Sequence, residues 1–205
     1  MLSERLASRR AALVDAAVRA IQELGPSVSM AELARSAGIT KPILYRHFGD
    51  KAGLCQAIAE RKAEQLWDEL VPKLDRAALT SRDGLRNAID AYLAFCEREE
   101  AVHRFLLAQR GHAGRRVASS PDDVGARIAG GIADGFRDRL AELGLDASAA
   151  EPWAHGVVGL VTEAAAWWLL TRRITREELC THLMTLLWNG FAGLADADGE
   201  PGRTT

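Results

Sequence analysis

Apolar residues recur along this chain at intervals of three and four almost without a break, while runs alternating apolar with polar at period two are missing. That spacing predicts an all-α protein. Leu6, Leu13, Ala16, Ala17, Ala20, Ile21 and Leu24 define one face of a first helix. Gly25-Pro26 stops it, glycine supplying a left-handed cap and proline refusing continuation. Ser29 with Glu32 three residues on is a capping box for a short second helix over 30–37, which Gly38 ends. A third short helix is expected over 41–48, with Thr40 as its cap. Pro42 falls in the first turn, where a missing N–H costs little, although it disfavours helical geometry at Lys41 and can shift the start by one residue.

After Gly49, Asp50 is placed to cap a long amphipathic helix through Leu54, Ile58, Leu66, Trp67 and Leu70, with Pro72 marking a kink or its approach to an end. Five further helices are expected at about 81–98, 100–110, 121–143, 148–172 and 175–194, about nine in all. Residues 111–120, rich in Gly, Ser and Arg, are expected to form a mobile loop, and 195–205 a polar tail with nothing to pack. The expected organisation is a small N-terminal domain over 1–50, a larger helical domain over 51–195, and a disordered tail over 196–205. No internal repeat is visible.

Two short helices joined by a tight turn containing glycine make residues 29–48 a helix-turn-helix pattern. Leu33, Ala34 and Ala37 pack the first helix, Ile39 plugs the turn, and Leu44 and Phe48, four apart, bury one face of the second. At about 100° per residue, Pro42, Ile43 and Arg46 then point the opposite way, with Tyr45 and His47 flanking them. This outward face suits a DNA major groove. Arg46 can donate two bonds to guanine, Ile43 and Pro42 can touch a thymine methyl, and Tyr45, His47 and Lys51 can reach phosphates. The alternative for Arg46 is a phosphate contact, and His47 could simply pack beside Phe48.

Charge changes its meaning once this segment is separated from the rest. The whole 205-residue chain carries a formal −2, which on its own argues against a polyanionic partner. Residues 1–51, however, hold eight basic against five acidic side chains, +3, and the remainder 18 against 23, −5. A modestly positive head on an acidic body orients the molecule toward a polyanion. The composition, 48% apolar and 26% charged, is that of a globular chain. The most apolar stretch, 156–170, is broken by Thr162 and Glu163, too short to span a bilayer. The N-terminus lacks the apolar core of a secretory signal. Three distant cysteines, Cys55, Cys96 and Cys180, fit buried thiols in a reducing compartment. Cytoplasmic residence without a membrane is therefore expected. An enzyme reading finds no Gly-rich phosphate loop, Cys-x-x-Cys, His-Glu-x-x-His or Gly-x-Ser-x-Gly element, and five scattered histidines suggest neither metal nor cofactor.

Gly38-Ile39-Thr40-Lys41-Pro42-Ile43-Leu44-Tyr45-Arg46-His47-Phe48-Gly49-Asp50-Lys51, followed by Leu54, resembles the recognition segment of the TetR family of bacterial transcriptional regulators. Motif-level similarity covers about residues 8–60; beyond it only length and helix count agree. The resemblance implies a homodimeric repressor of double-stranded operator DNA, with C-terminal helices that bind a small molecule and last two long helices that pair across the dimer. It puts DNA contacts on Thr40, Lys41, Pro42, Ile43, Tyr45, Arg46, His47 and Lys51. Ala31 departs from members that hydrogen-bond DNA through the second helix, because its methyl group offers no donor.

In the larger domain Trp67, Phe95, Phe105, Phe136, Trp153 and Trp167 read either as ordinary core or, given the resemblance, as the walls of an apolar pocket for a small hydrophobic effector. Leu70 joins the expected lining, with Glu163 its best polar group, because an unpaired carboxylate in an apolar helix must meet water, a donor or a ligand. Gln109 and His155 are weaker polar members. The arrangement looks similar to regulators of lipid metabolism that bind acyl-CoA, for which Arg115 and Arg116 would supply phosphate contacts. The helix carrying Trp153, Val157, Leu160, Val161, Ala164, Trp167 and Trp168 is apolar on two faces, and Gly156 and Gly159 allow a neighbour to approach closely. With Leu183, Leu186, Leu187, Gly190, Phe191 and Leu194 on the last helix, it is expected to form a two-fold four-helix interface centred on Gly156, Gly159, Trp168, Leu183, Leu187 and Gly190. The rival to a ligand-responsive regulator is a ligandless architectural DNA binder.

Overall fold

The computed structural model describes residues 2–70, 81–110 and 124–189. Pro72, the loop expected at 111–120 with Arg115 and Arg116, and everything from Gly190 onward lie outside the described residues, as does the side chain of Gln109. Nine α-helices and no strand occur among the described residues: α1 (Leu2–Leu24), α2 (Met30–Ser36), α3 (Lys41–Phe48), α4 (Lys51–Leu70), α5 (Arg82–Arg98), α6 (Glu100–Arg110), α7 (Val124–Glu142), α8 (Ala150–Thr171) and α9 (Arg176–Asn189). A short 3-10 turn, Ala147–Ala149, leads into α8, its second amide, Ser148 N, donating to the Asp146 carboxylate at 2.9 Å. It accounts for the later start of α8 than the spacing suggested.

The chain packs as two compact units, Met1–Glu69 with Phe95–Arg127, and Leu70–Ala94 with Ile128–Thr205. The packing therefore does not divide at residue 50. One long and two short helices cannot bury enough apolar surface by themselves, and the first unit recruits α4 and α6: Leu54, Ala57, Ile58, Val102 and Phe105 share one core with Leu13, Ala17, Ile21, Leu33, Leu44 and Phe48. Each large side chain fully buried there contributes about 1.5–3 kcal/mol. Polar ties join the same helices. Arg61 Nε of α4 donates to Asp15 Oδ1 of α1 at 3.1 Å. Glu99, the single residue between α5 and α6, is buried against Lys62 Nζ of α4 at 2.8 Å and accepts from Gln22 Nε2 of α1 at 3.0 Å.

In the second unit α7 meets α8 through Ala129, Ala133 and Ala154, with Phe136 set edge-on to Trp153 at 6.2 Å between centroids. Ala154, Val161, Ala165, Trp168 and Leu169 form the buried side of α8, and Leu179, Cys180, Leu183 and Met184 that of α9. Arg176 of α9 pairs with Asp90 of α5 at 3.0 Å, and Arg86 of α5 donates to Thr181 Oγ1 at 3.3 Å. A second capping box starts α9, with Thr175 N 2.7 Å from Glu178 Oε2 and Glu178 N 3.2 Å from Thr175 Oγ1. All three cysteines are buried free thiols. No helix among the described residues is long and apolar enough to cross a membrane.

Candidate nucleic-acid interface

The turn between α2 and α3 is built from the backbone outward. At the start of α2 the expected capping box is present: Ser29 N donates to Glu32 Oε2 at 2.8 Å and Glu32 N to Ser29 Oγ at 3.3 Å. The Ser29 hydroxyl and amide hold the Glu32 carboxyl below its ordinary range. At the end of α2, Gly38 takes φ +67 while its amide bonds Arg35 O at 3.0 Å and Ile39 N bonds Ala34 O at 2.9 Å. Those two bonds with a left-handed residue between them are a Schellman close. Ile39, the next residue, packs on the core and fixes the angle at which α3 departs.

Thr40 sits at the N-cap of α3 with extended backbone, but its hydroxyl makes no capping bond; Pro42 in the first turn removes one of the amides it would have served. Leu44 and Phe48 are buried as the spacing required. Lys41, Pro42 and Arg46 are exposed with Thr40, while Ile43, Tyr45 and His47 are half-buried along the edges of that surface. Lys41 Nζ lies over the Tyr45 ring at 5.6 Å, which brings a cation and a phenol to one spot. Lys51, expected as a phosphate contact, stands at the first position of α4. It is half-buried with Nζ over the Phe105 ring at 5.6 Å, so it braces α4 against α6 at the foot of the recognition helix.

Two features of this surface carried no sequence signal. A Cβ at Gly53 would lie 2.0 Å from the Phe48 carbonyl oxygen, so only glycine lets α4 begin this close behind α3. Asp50 caps that start, as expected, accepting from Gly53 N at 2.8 Å. Arg10 of α1 lays its guanidinium over the Phe48 ring at 5.2 Å, closing the far end of α3 with a positive charge.

The residues expected to line an effector pocket are spread over both units. In the first unit Phe105 is fully buried and shares the core of the helix-turn-helix. Phe95 is buried too, with Arg98 over its ring and His103 set edge-on. Trp67 is half-buried beneath the Arg127 guanidinium at 4.1 Å. In the second unit Leu70 is buried, Phe136 is half-buried, and Glu163 and Trp167 lie on the exposed side of α8, Trp167 at 44% exposure. Glu163 thus satisfies its carboxylate at the protomer surface instead of in an apolar cavity. Trp168, expected at a dimer interface, is 1% exposed, its indole N–H donating to Ile174 O at 2.8 Å and its ring under Arg172 at 4.3 Å. The two adjacent tryptophans point about 100° apart, and the packing turns Trp168 inward and Trp167 outward. Leu183 is likewise buried within the protomer, Leu187 is half-buried, and Gly156 and Gly159 are exposed.

A glycine-closed helix-turn-helix with an exposed recognition face, followed by a helical second unit, defines a DNA-binding transcriptional regulator. Comparison with known proteins carries this further. Residues 13–58 match the family of bacterial regulatory proteins of the tetR type, and residues 69–203 the tetracyclin repressor-like C-terminal domain. An uncharacterized HTH-type transcriptional regulator of Mycobacterium tuberculosis is 31% identical over 94% of this chain and 81% of its own. The transcriptional activator FasR of Mycolicibacterium smegmatis is 27% identical over 90% of this chain and 83% of its own. Among solved structures, a tetR-family regulator from Streptomyces coelicolor aligns with TM-score 0.60 and 25% identity over 93% of this chain and 83% of that one. FadR of Bacillus subtilis, solved with stearoyl-CoA, shares the fold at TM-score 0.58 and 16% identity over 87% of this chain and 97% of that one. The chain belongs to the TetR family of transcriptional regulators.

Proposed function

We propose that this regulator is a homodimeric repressor that occupies a palindromic operator and is released by a small hydrophobic effector bound among its C-terminal helices. The exposed face of α3 carries the reading of DNA: Pro42 and Arg46 face outward between the half-buried Ile43, Tyr45 and His47, with Lys41 and Thr40 at the leading end. Phosphate contacts from Lys41, Tyr45 and His47 position the helix, and Arg46 with Ile43 and Pro42 reads base edges. Two such helices read half-sites about one helical turn apart, near 34 Å.

The dimer reading rests on α8 and α9. On α8 Trp167 and Leu170 are 44% and 58% exposed beside Gly156 and Gly159, and on α9 Trp188 is 44% exposed. Thr162, Thr171 and Thr185 turn their hydroxyls back onto their own helices, bonding the carbonyls of Val158, Trp167 and Thr181 at 2.8, 3.0 and 2.9 Å. With these hydroxyls turned back, Trp167, Leu170 and Trp188 stand as large apolar side chains exposed on these helices, of the kind a subunit interface covers. For the effector, the stearoyl-CoA bound by FadR, which shares this fold, supports a fatty acid or its coenzyme A thioester. Effector binding lowers operator affinity only by its differential affinity for the released form.

The test is a competition. Operator fragments selected from a random pool are bound by the protein and challenged separately with long-chain acyl-CoA, free fatty acid and coenzyme A. Release by an acylated ligand at constant salt is expected. Equal binding to random sequences at physiological salt, with no ligand effect, overturns the repressor reading in favour of an architectural binder.

A further inference from the structure

The exposed side of α8 is self-complementary about one residue. Pro152, His155, Gly156, Gly159, Thr162 and Glu163 are exposed and Ala166 is half-buried. Counted from Gly159, they fall in matched pairs: Gly156 with Thr162, His155 with Glu163, and Pro152 with Ala166. Two-fold symmetry makes an interface of identical helices pair position i with its mirror position. Two antiparallel copies crossing at Gly159 would therefore set small against small nearest the axis, and imidazole against carboxylate one turn out on both sides. Nothing lies within 4 Å of a Cβ built at Gly156 or Gly159, so the protomer leaves open the space where another backbone could approach. His155 and Glu163 have no hydrogen-bond or ion-pair partner among the described residues.

We propose that the two-fold axis of the dimer passes at Gly159, and that His155 of each protomer donates a hydrogen bond to the partner's Glu163. This rests on the dimer reading above and adds its register. Two alternative registers on this face are electrostatically worse. An axis at Glu163 would set two carboxylates face to face, and one at Gly156 would set Glu163 opposite position 149, ahead of the helix, without a charge partner. At about 1.5 Å rise per residue, His155 and Glu163 each stand about 6 Å from the axis, close enough for side chains to meet across it.

Cysteine cross-linking tests the register. His155 and Glu163 are about 12 Å apart along their own helix, beyond the roughly 4.4–6.8 Å Cα separation of a disulfide, so a bond between these positions forms only across subunits. The full chain is made as Gly159→Cys, His155→Cys, Glu163→Cys and the double variant H155C/E163C, with the wild type and its three buried thiols as control. Under mild oxidation G159C and the double variant are expected to yield covalent dimers, while the wild type and the two single variants do not. Covalent dimers from either His155→Cys or Glu163→Cys alone overturn the register, as does a dimeric native mass without cross-linking of G159C. A monomeric native mass for the wild type overturns the dimer reading itself. Independently, Glu163→Lys should raise the dimer dissociation constant at least about tenfold, and adding His155→Glu should reverse it; no change in the first variant, or no recovery in the second, also overturns the pairing.

Discussion

Glu99→Ala removes one partner of a buried ion pair and leaves the other in place. The Lys62 and Glu99 side chains are 8% and 11% exposed, with Nζ 2.8 Å from Oε2. The same carboxylate oxygen accepts from Gln22 Nε2 at 3.0 Å, so one truncation strands a buried cation and also takes the acceptor from the exposed Gln22 amide. Lys62 keeps only the neutral Gln65 Oε1 at 3.0 Å. Breaking such a pair from one side costs about 3–5 kcal/mol, because the surviving charge loses water and partner alike. That is a large part of the roughly 5–15 kcal/mol that holds a domain folded. At about 2–4 °C per kcal/mol for a chain of this size, the melting point should fall by roughly 10 °C. Urea unfolding followed by far-UV circular dichroism reads the loss as a lower midpoint at unchanged slope. The double variant Glu99→Leu with Lys62→Met removes both charges and should return most of the lost stability. A single-variant loss below about 1 kcal/mol, or a double variant no more stable than E99A, refutes the claim that this pair ties α1, α4 and the α5–α6 elbow together.

Gly53→Ala drives a methyl to within 2.0 Å of the Phe48 carbonyl; opening the α3–α4 junction should cost about 1–3 kcal/mol and weaken operator binding, and unchanged melting and unchanged anisotropy titrations would disprove the close-approach argument. Arg46→Ala should erase about 1–3 kcal/mol of discrimination at one base pair in a panel of single-substituted operators. A uniform loss with a salt slope smaller by about one makes Arg46 a phosphate contact instead. Glu32 titrates below the ordinary carboxylate range because Ser29 bonds its charged form. Its contribution to α2 is therefore complete above the ordinary value and disappears as pH falls through the lowered one; Glu32→Gln should remove that acid-dependent loss of amide protection, and an ordinary NMR titration of Glu32 would contradict the capping box. Trp168→Phe forfeits the bond to Ile174 O and should lower stability by about 1–3 kcal/mol, whereas Trp167→Phe should leave the protomer within about 0.5 kcal/mol. Equal effects would mean that the inner and outer tryptophans have been assigned wrongly.

The head was legible because its determinants are local. A capping box, a turn glycine, a proline near a helix start and an apolar pair four apart act within a few residues, and the α2 and α3 bounds follow them closely. Legibility failed where local chemistry met a long-range contact. Thr40 has the right side chain for a cap and does not use it. Lys51 has the right charge for a phosphate, but its ammonium lies over the ring of Phe105, more than fifty positions away in the chain. Gly53 looks like an unremarked helical glycine until the carbonyl of Phe48 is placed against it.

The larger domain illustrates the opposite limit. Periodicity reports that a helix has apolar faces, and α8 has them nearly all round, so it cannot report which face the protomer keeps for itself. A carboxylate in such a helix poses a sharper question, since it must find water or a donor. The structure answers by turning Glu163 outward with Gly159 and Trp167 while Trp168 closes the core. The carboxylate therefore meets water on the exposed side of α8. Phe105, another residue expected at a pocket wall, is buried in the first unit, where it shares a core with Leu54 of α4 and Leu44 of the recognition helix. A side chain buried between α6 and the helix-turn-helix needs no ligand to matter for DNA binding: whatever displaces α6 must also move Phe105 and the Lys51 ammonium above it, and with them the start of α4 behind the recognition helix.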